Sequence, residues 1–485
     1  MQQCRNPSRR CRILGYRVSI GWRLSSDDDG RDALSDSIAR VIKVHLEFLI
    51  RSCVTPGDRS AGAVGRPLGK DVTMTATPEH YRVPDTAASM VDGPTGPLVG
   101  MRIIDVTHAA SGPLTSMLLA DMGADVIKVE PPGGDLVRKV GPFHPEDDVK
   151  EISSRFAYRH RNKRSIVLDL TTDRDRATFL ELVDSADALL ENMRAGVMDR
   201  LGVGFETCHA RNSKLVYGAI RGFGDPRTGE SPYSDWPAYD VVAQAMGGLV
   251  AVTGPDKDHP MRAGAIIGDF VPSFQLLSGL LAALLHAERT GQGQFVDVAM
   301  VDGVMSLNEA SIISWVYEGH DYEPMGNKTD GIVPFGVFKT IDGWCAIAGP
   351  LQHQWELIAK VMGREDLLDD ERLATLASRA VNRELVDEPV TAWALSQTNA
   401  QVLEALGGKV PVAPVHGASD WMTDPGVAAR EMIIGVDHPH APTVPQLGCP
   451  IKFASTPTGV YRSAPMLDEH GDEIRAELEK LKAGG

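Results

Sequence analysis

Cysteine is scarce in this chain and scattered: Cys4, Cys11, Cys53, Cys208, Cys345 and Cys449 are the six present in 485 residues, with no C-x-x-C pair. That excludes a disulfide scaffold and fits a reducing compartment, so a cytoplasmic protein is expected. Missing too is any uninterrupted apolar run of the roughly 18 residues that a membrane helix takes, and no membrane partner is expected. An excess of positive charge is also lacking, since 49 Lys and Arg against 65 Asp and Glu leave a formal net charge of -16. No overall basic field gathers phosphate backbones, which argues against a nucleic-acid partner; an anionic ligand has to be met by local groups. His and Cys do not cluster in a ligand set, so no metal is expected.

With 43% hydrophobic residues, a chain of this length buries a substantial core over two or three domains. Residues 1–97 read as something apart. Arginines at 5, 9, 10, 12, 17 and 23 break every apolar run before it becomes a signal peptide, and the acidic run from Asp27 opposes a transit peptide. Ser37–Leu49 fits a short amphipathic helix, whereas 54–98 is a Gly, Pro, Thr and Ala linker with little to bury. This arm is expected to be disordered or a non-native extension, with Met74 or Met90 as the biological start.

From Gly100 the pattern changes. Met101–Val106 reads as a strand, Pro113–Met122 as a helix and Ala124–Val129 as a second strand ending at Glu130, which makes a βαβ unit. The turn reads HAASGP, however, and lacks the G-x-G-x-x-G that a dinucleotide site requires. Further strands are expected at Ser165–Leu170, Ala186–Glu191 and Lys214–Ala219, with a helix over Met193–Leu201. Strand alternating with helix predicts an α/β fold with a Rossmann-like parallel sheet and ligands at the strand C-termini. In RHRNKRSIVLDL, Lys163 and Arg164 at a strand entrance are candidate phosphate ligands, against the plain alternative of a solvated loop.

The most apolar stretch runs from Arg262 to Gly303. Leu276, Leu277, Leu280, Leu281, Leu284 and Leu285 recur at helical spacing over Phe274–Arg289, and Phe295–Met300 follows as a strand. Asp269 stands just ahead of that helix. Read locally it is an N-cap, because a carboxylate there satisfies free backbone N–H groups.

Seven motifs in order change that reading: LVGMRIIDVTHAASGP, GADVIKVEPPGGD, NKRSIVLDL, ENMRAGVMDRLG, YDVVAQAMGGLVAVTG, GAIIGDF and ERTGQGQFVDVAMVDG. Together they resemble the class III CoA-transferase family (CaiB/BaiF type), whose members include formyl-CoA and carnitine CoA-transferases and α-methylacyl-CoA racemases. The resemblance implies that Asp269 is the catalytic carboxylate, attacking a thioester and carrying CoA as an aspartyl thioester before a second acid takes it. It implies acyl-CoA and a carboxylic acid as substrates, no tightly bound cofactor, and an interlocked homodimer. It places CoA near Leu168, Asp169, Asn192, Met193 and Arg200, with Lys163 and Arg164 secondary, and makes Arg200 the best phosphate ligand. Backbone donors for the oxyanion are sought in the small residues Gly247, Gly248, Thr253 and Gly254, against the alternative of a tight turn.

Departures narrow the activity. Where formyl-CoA transferases carry a glutamine two residues after His108, this chain has Ala110, and GNKTDGIVPFG lacks their run of glycines. The family's adenine-side arginine is Pro131 here. Racemases pair the GDF carboxylate with a histidine beside an aspartate; here AYD puts Tyr239 next to Asp240, and a phenol with pKa of about 10 is a poor base. A racemase and a non-catalytic CoA-binding relative remain the alternatives. The expected domains are a large CoA-binding domain over 98–305, a linker helix and small domain over 306–425, and a return segment over 426–485. A dicarboxylate such as succinate is the first expectation for the donor acid.

Overall fold

The computed structural model describes residues 81–484. The Ser37–Leu49 helix and the Met74 start lie outside them. Residues 81–97 correct the expectation of a disordered arm. Ala88 donates its N–H to Ile433 O and accepts from Gly435 N, both at 3.0 Å, while Ala88 and Met90 pack on Ile434, Val436 and Val460. Paired backbone and buried apolar surface hold this segment.

Strands β1 (Arg102–Asp105), β2 (Asp125–Glu130), β3 (Lys163–Val167), β4 (Ala188–Glu191), β5 (Val216–Arg221) and β6 (Phe295–Ala299) form one sheet ordered β3-β2-β1-β4-β5-β6. Every pairing in it is parallel, as the alternating pattern predicts. The order reverses between β1 and β4, so the loops leaving those strands diverge and open a crevice at the C-terminal edge.

The apolar helix spans Ile267–Thr290, longer at its start than the leucine pattern suggests, because it runs through Pro272. It is long and apolar enough to cross a bilayer by length and composition. Here Leu276, Leu277, Leu280, Ala283 and Leu284 are buried in the core shared with β5 and the helix Ser111–Asp121. Each leucine so buried contributes roughly 1.5–3 kcal/mol. Gly218 in β5 makes room for them, since a Cβ there would lie 2.8 Å from Leu280 Cδ2. The stretch Met193–Leu201 holds only the short helix Val197–Arg200, because Gly196 takes a left-handed φ of 75° just before it.

Antiparallel strands β7 (Phe335–Lys339), β8 (Trp344–Ala348) and β9 (Val412–Pro414) form a separate sheet with its own core around Trp355. The acidic stretch 365–388 includes the helix Leu376–Val381 and the start of Glu384–Leu395. Buried Arg379 organises it by donating to the carbonyls of Val333, Pro350 and Leu373. A hairpin of β10 (Ile433–His438) and β11 (Ala441–Leu447) follows. The last helix, Gly471–Gly484, buries Ile474 and Leu478 in the core cluster that holds Ile166 of β3.

Candidate active site

Two cavities lie along the C-terminal edge of the sheet and share His108 and Met193. The smaller, about 150 Å³, is lined by Val129, Glu130, Leu168, Asp169 and Thr171 from the ends of β2 and β3. The larger, about 380 Å³, is lined by Ala109, Asn192, Arg194, Arg221, Trp236, Tyr239 and Asp269. The strand ends thus line two adjoining cavities, an arrangement that suits an elongated ligand.

Asp269 is the third residue of its helix and does not cap it. The N-cap position is Ile266, without a side-chain bond. The cap comes from elsewhere: Asp240 Oδ1 accepts the Gly268 N–H at 2.8 Å, and Gln244 Nε2 steadies both Asp240 oxygens at 2.8 and 3.0 Å. Gly268 permits this approach, since a Cβ would meet Asp240 O at 2.6 Å. With its capping duty taken by Asp240, the Asp269 carboxylate faces the cavity with no hydrogen-bond or ion-pair partner among the described residues. Burial, then the charge of Asp240, push it up to about 6, with Arg159 pulling the other way. An unpaired carboxylate largely ionised at neutral pH is a competent nucleophile toward a thioester without a separate base.

The loop after β1 is held by Asn192, whose Oδ1 accepts from His108 N and whose Nδ2 donates to His108 O, each at 2.8 Å. Ala109 adopts a left-handed φ of 66° in that loop, and Ala110 is the N-cap position of the following helix. His108 is held neutral, its pKa lowered by burial and then by nearby Lys128. Tyr239 is 73% exposed at the cavity rim.

Lys163 and Arg164 are a correction. Lys163 Nζ is buried against Asp105 at 2.9 Å and Ser116 at 2.8 Å, and Arg164 pairs with Asp125 and Glu477, both at 2.7 Å. Neither lines either of these two cavities. Their cations answer the chain's own carboxylates and are not available to phosphate. Glu130, at the ribose position of a dinucleotide fold, likewise holds Arg138 at 2.6 Å. Arg200 is exposed on its four-residue helix and has no carboxylate partner among the described residues. Gly247 and Gly248 are a second correction. Their N–H groups close the end of helix Asp240–Met246, on Ala243 O at 2.8 Å and Ala245 O at 3.2 Å, and both line a different cavity, with Met305 and Ile312. Gly254 sits in a turn with φ 145°, where its Cβ would strike His259 O at 2.3 Å.

The sequence reading missed Arg159, Arg194 and Arg221. Arg221 lines the crevice and is locked by Glu191 at 2.6 Å and Asp225 at 2.7 Å; its place at the end of β5 was the available signal. Arg194 lines the crevice unpaired among the described residues.

Fold and crevice together define a doubly wound α/β protein with an unpaired carboxylate set over the ends of its strands. Residues 98–471 match the model of CoA-transferase family III, and the chain belongs to that family. It is an enzyme of the CoA-transferase class, moving CoA from an acyl-CoA to a carboxylic acid. The succinyl-CoA:mesaconate CoA-transferase of Haloarcula hispanica is 40% identical over 383 residues, which span 79% of this chain and 96% of that one. The succinate–glutarate CoA-transferase of Agrobacterium fabrum is 34% identical over 392 residues, 80% of this chain and 96% of its own. The crystal structure of a CaiB/BaiF family protein from Brucella suis matches with a TM-score of 0.70 at 31% identity, covering 79% of this chain and 100% of that one.

Proposed function

We propose that this enzyme transfers CoA between dicarboxylic acids through an aspartyl-CoA thioester on Asp269. The observation that carries the reading is the Asp269 carboxylate, unpaired and facing the crevice because Asp240 caps its helix in its stead. Asp269 attacks the acyl-CoA carbonyl and releases CoA thiolate, leaving an anhydride; the thiolate then attacks the aspartyl carbonyl and frees the first acid. An acceptor carboxylate reverses the sequence, and Asp269 returns as a carboxylate. No step calls on a metal or a redox group. The dicarboxylate preference is supported by the named activities of the two relatives above, which act on succinyl-CoA with mesaconate and on succinate with glutarate.

The smaller cavity, with Leu168 and Asp169, takes the nucleotide end of CoA in this reading, and the unpaired guanidiniums of Arg194 and Arg200 meet its phosphates. The enzyme acts as a homodimer in the cytoplasm. Exposed Ile312, Trp315, Val316 and Tyr317 on the segment linking the two domains offer apolar surface for a second copy, and Cys208, Cys345 and Cys449 are buried free thiols. Intact-mass measurement after incubation with succinyl-CoA tests the central step. The wild type should gain a CoA-sized adduct that hydroxylamine removes, and Asp269→Ala should gain none; an adduct on the variant would place the intermediate on another residue.

A further inference from the structure

The basic run at Arg159–Arg164 lies close to the site, and all but one of its charged members is matched by a carboxylate. Arg161 meets Asp121 at 2.7 Å, Lys163 meets Asp105 at 2.9 Å and Arg164 meets Asp125 at 2.7 Å. Arg159 has no such partner among the described residues. Its Nη1 donates to Ala109 O at 3.1 Å, and its Nε is buried with nothing to bond. The guanidinium carbon lies 5.9 Å from the ring centre of Phe270, the residue after Asp269. Ala109 and Asp269 both line the larger cavity. A partly buried cation without a counter-ion is costly to keep, and a guanidinium with a free edge is shaped to receive a carboxylate.

We propose that Arg159 is the counter-ion of whichever carboxylate is reacting: it faces Asp269 in the resting enzyme and receives the acceptor acid once Asp269 carries CoA. This rests on the aspartyl-thioester reading above. Conversion of Asp269 to a thioester removes its negative charge, and Arg159 is then left with none to face. The acceptor arrives as an anion. Its carboxylate oxygen bonds to the aspartyl carbonyl carbon while the C–S bond breaks and the electron pair leaves on CoA thiolate. That thiolate next bonds to the acceptor's carbonyl carbon, the anhydride C–O bond breaks, and Asp269 is regenerated as a carboxylate. Among the reacting groups one negative charge is present in every state after the acceptor binds, on carboxylate or thiolate, and Arg159 answers it throughout. That Arg159 opposes the upward shift of Asp269 agrees with this placement.

The test separates charged from neutral nucleophiles. Wild type, Arg159→Met and Arg159→Lys are loaded with succinyl-CoA, freed of excess reagent, and discharged with either succinate or hydroxylamine. In Arg159→Met, hydroxylamine should strip the adduct at the wild-type rate, while succinate acts at least about ten-fold more slowly, as expected for a lost charge-assisted bond. Arg159→Lys should recover part of the succinate rate. Should Arg159→Met fail to fold, Arg159→Gln, which keeps a donor for Ala109 O, carries the same comparison. Equal slowing with both nucleophiles, or slowing with neither, overturns this inference alone. A wild type that never forms the adduct overturns the Asp269 reading and this inference with it.

Discussion

Asp240 caps the helix that carries Asp269, accepting the Gly268 N–H at 2.8 Å, and by its charge it also raises the carboxylate it sets free. One residue therefore fixes the position of the nucleophile and tunes its ionisation. The two effects can be separated by substitution.

Because only the carboxylate of Asp269 attacks, the rate of CoA loading should fall as pH drops, reaching half its plateau at about pH 6. An unperturbed aspartate would place that limb at about 3.9. Quenched-flow mass measurement of adduct formation between pH 4.5 and 8 checks this; a flat profile down to pH 5 would contradict it.

Asp240→Asn keeps an oxygen for Gly268 N–H and removes the charge. Its acid limb should move to lower pH with little change in melting temperature. Asp240→Ala removes the cap as well and should cost about 1 kcal/mol of stability. Parallel pH profiles and thermal melts of the two variants distinguish charge from capping.

Asp269 is raised in the folded state, so the fold holds its proton more tightly than the unfolded chain does. Its contribution favours folding below the unfolded value of 3.8 and is lost as pH rises through about 6. Asp269→Asn should therefore be inactive yet more stable than wild type by about 1–3 kcal/mol at pH 8, a gain that shrinks toward zero near pH 4. Urea denaturation at the two pH values measures it.

Lys163→Met leaves Asp105 buried without its partner and should destabilise the protein by about 3–5 kcal/mol. Arg200→Ala, on an exposed and unpaired residue, should leave stability within about 0.5 kcal/mol and weaken CoA binding. Denaturant titration together with calorimetric CoA binding separates a folding role from a binding one.

The sheet was legible in the sequence because parallel strands buried on both faces read as plain apolar runs, Ile103–Ile104 and Leu189–Leu190 among them. The Asp269 position was legible through GDF and its neighbours. Which cation meets which anion was not. Lys163, Arg164 and Arg159 stand within six positions, yet the carboxylates that claim the first two come from Asp105, Asp125 and, some 300 residues on, Glu473 and Glu477. Long-range pairing of that kind leaves no local pattern. The helix expected over Met193–Leu201 failed for a local reason, since Gly196 turns left-handed where periodicity alone would continue.

Gly268 lies so close to Asp240 and Ala243 that even a methyl group would not fit. The nucleophile is thereby bolted to the frame, while Trp236, Tyr239 and Arg194, which shape the rest of the crevice, stand on connecting segments around it. A lineage could exchange those walls to accept a different acid without realigning the atom that does the chemistry.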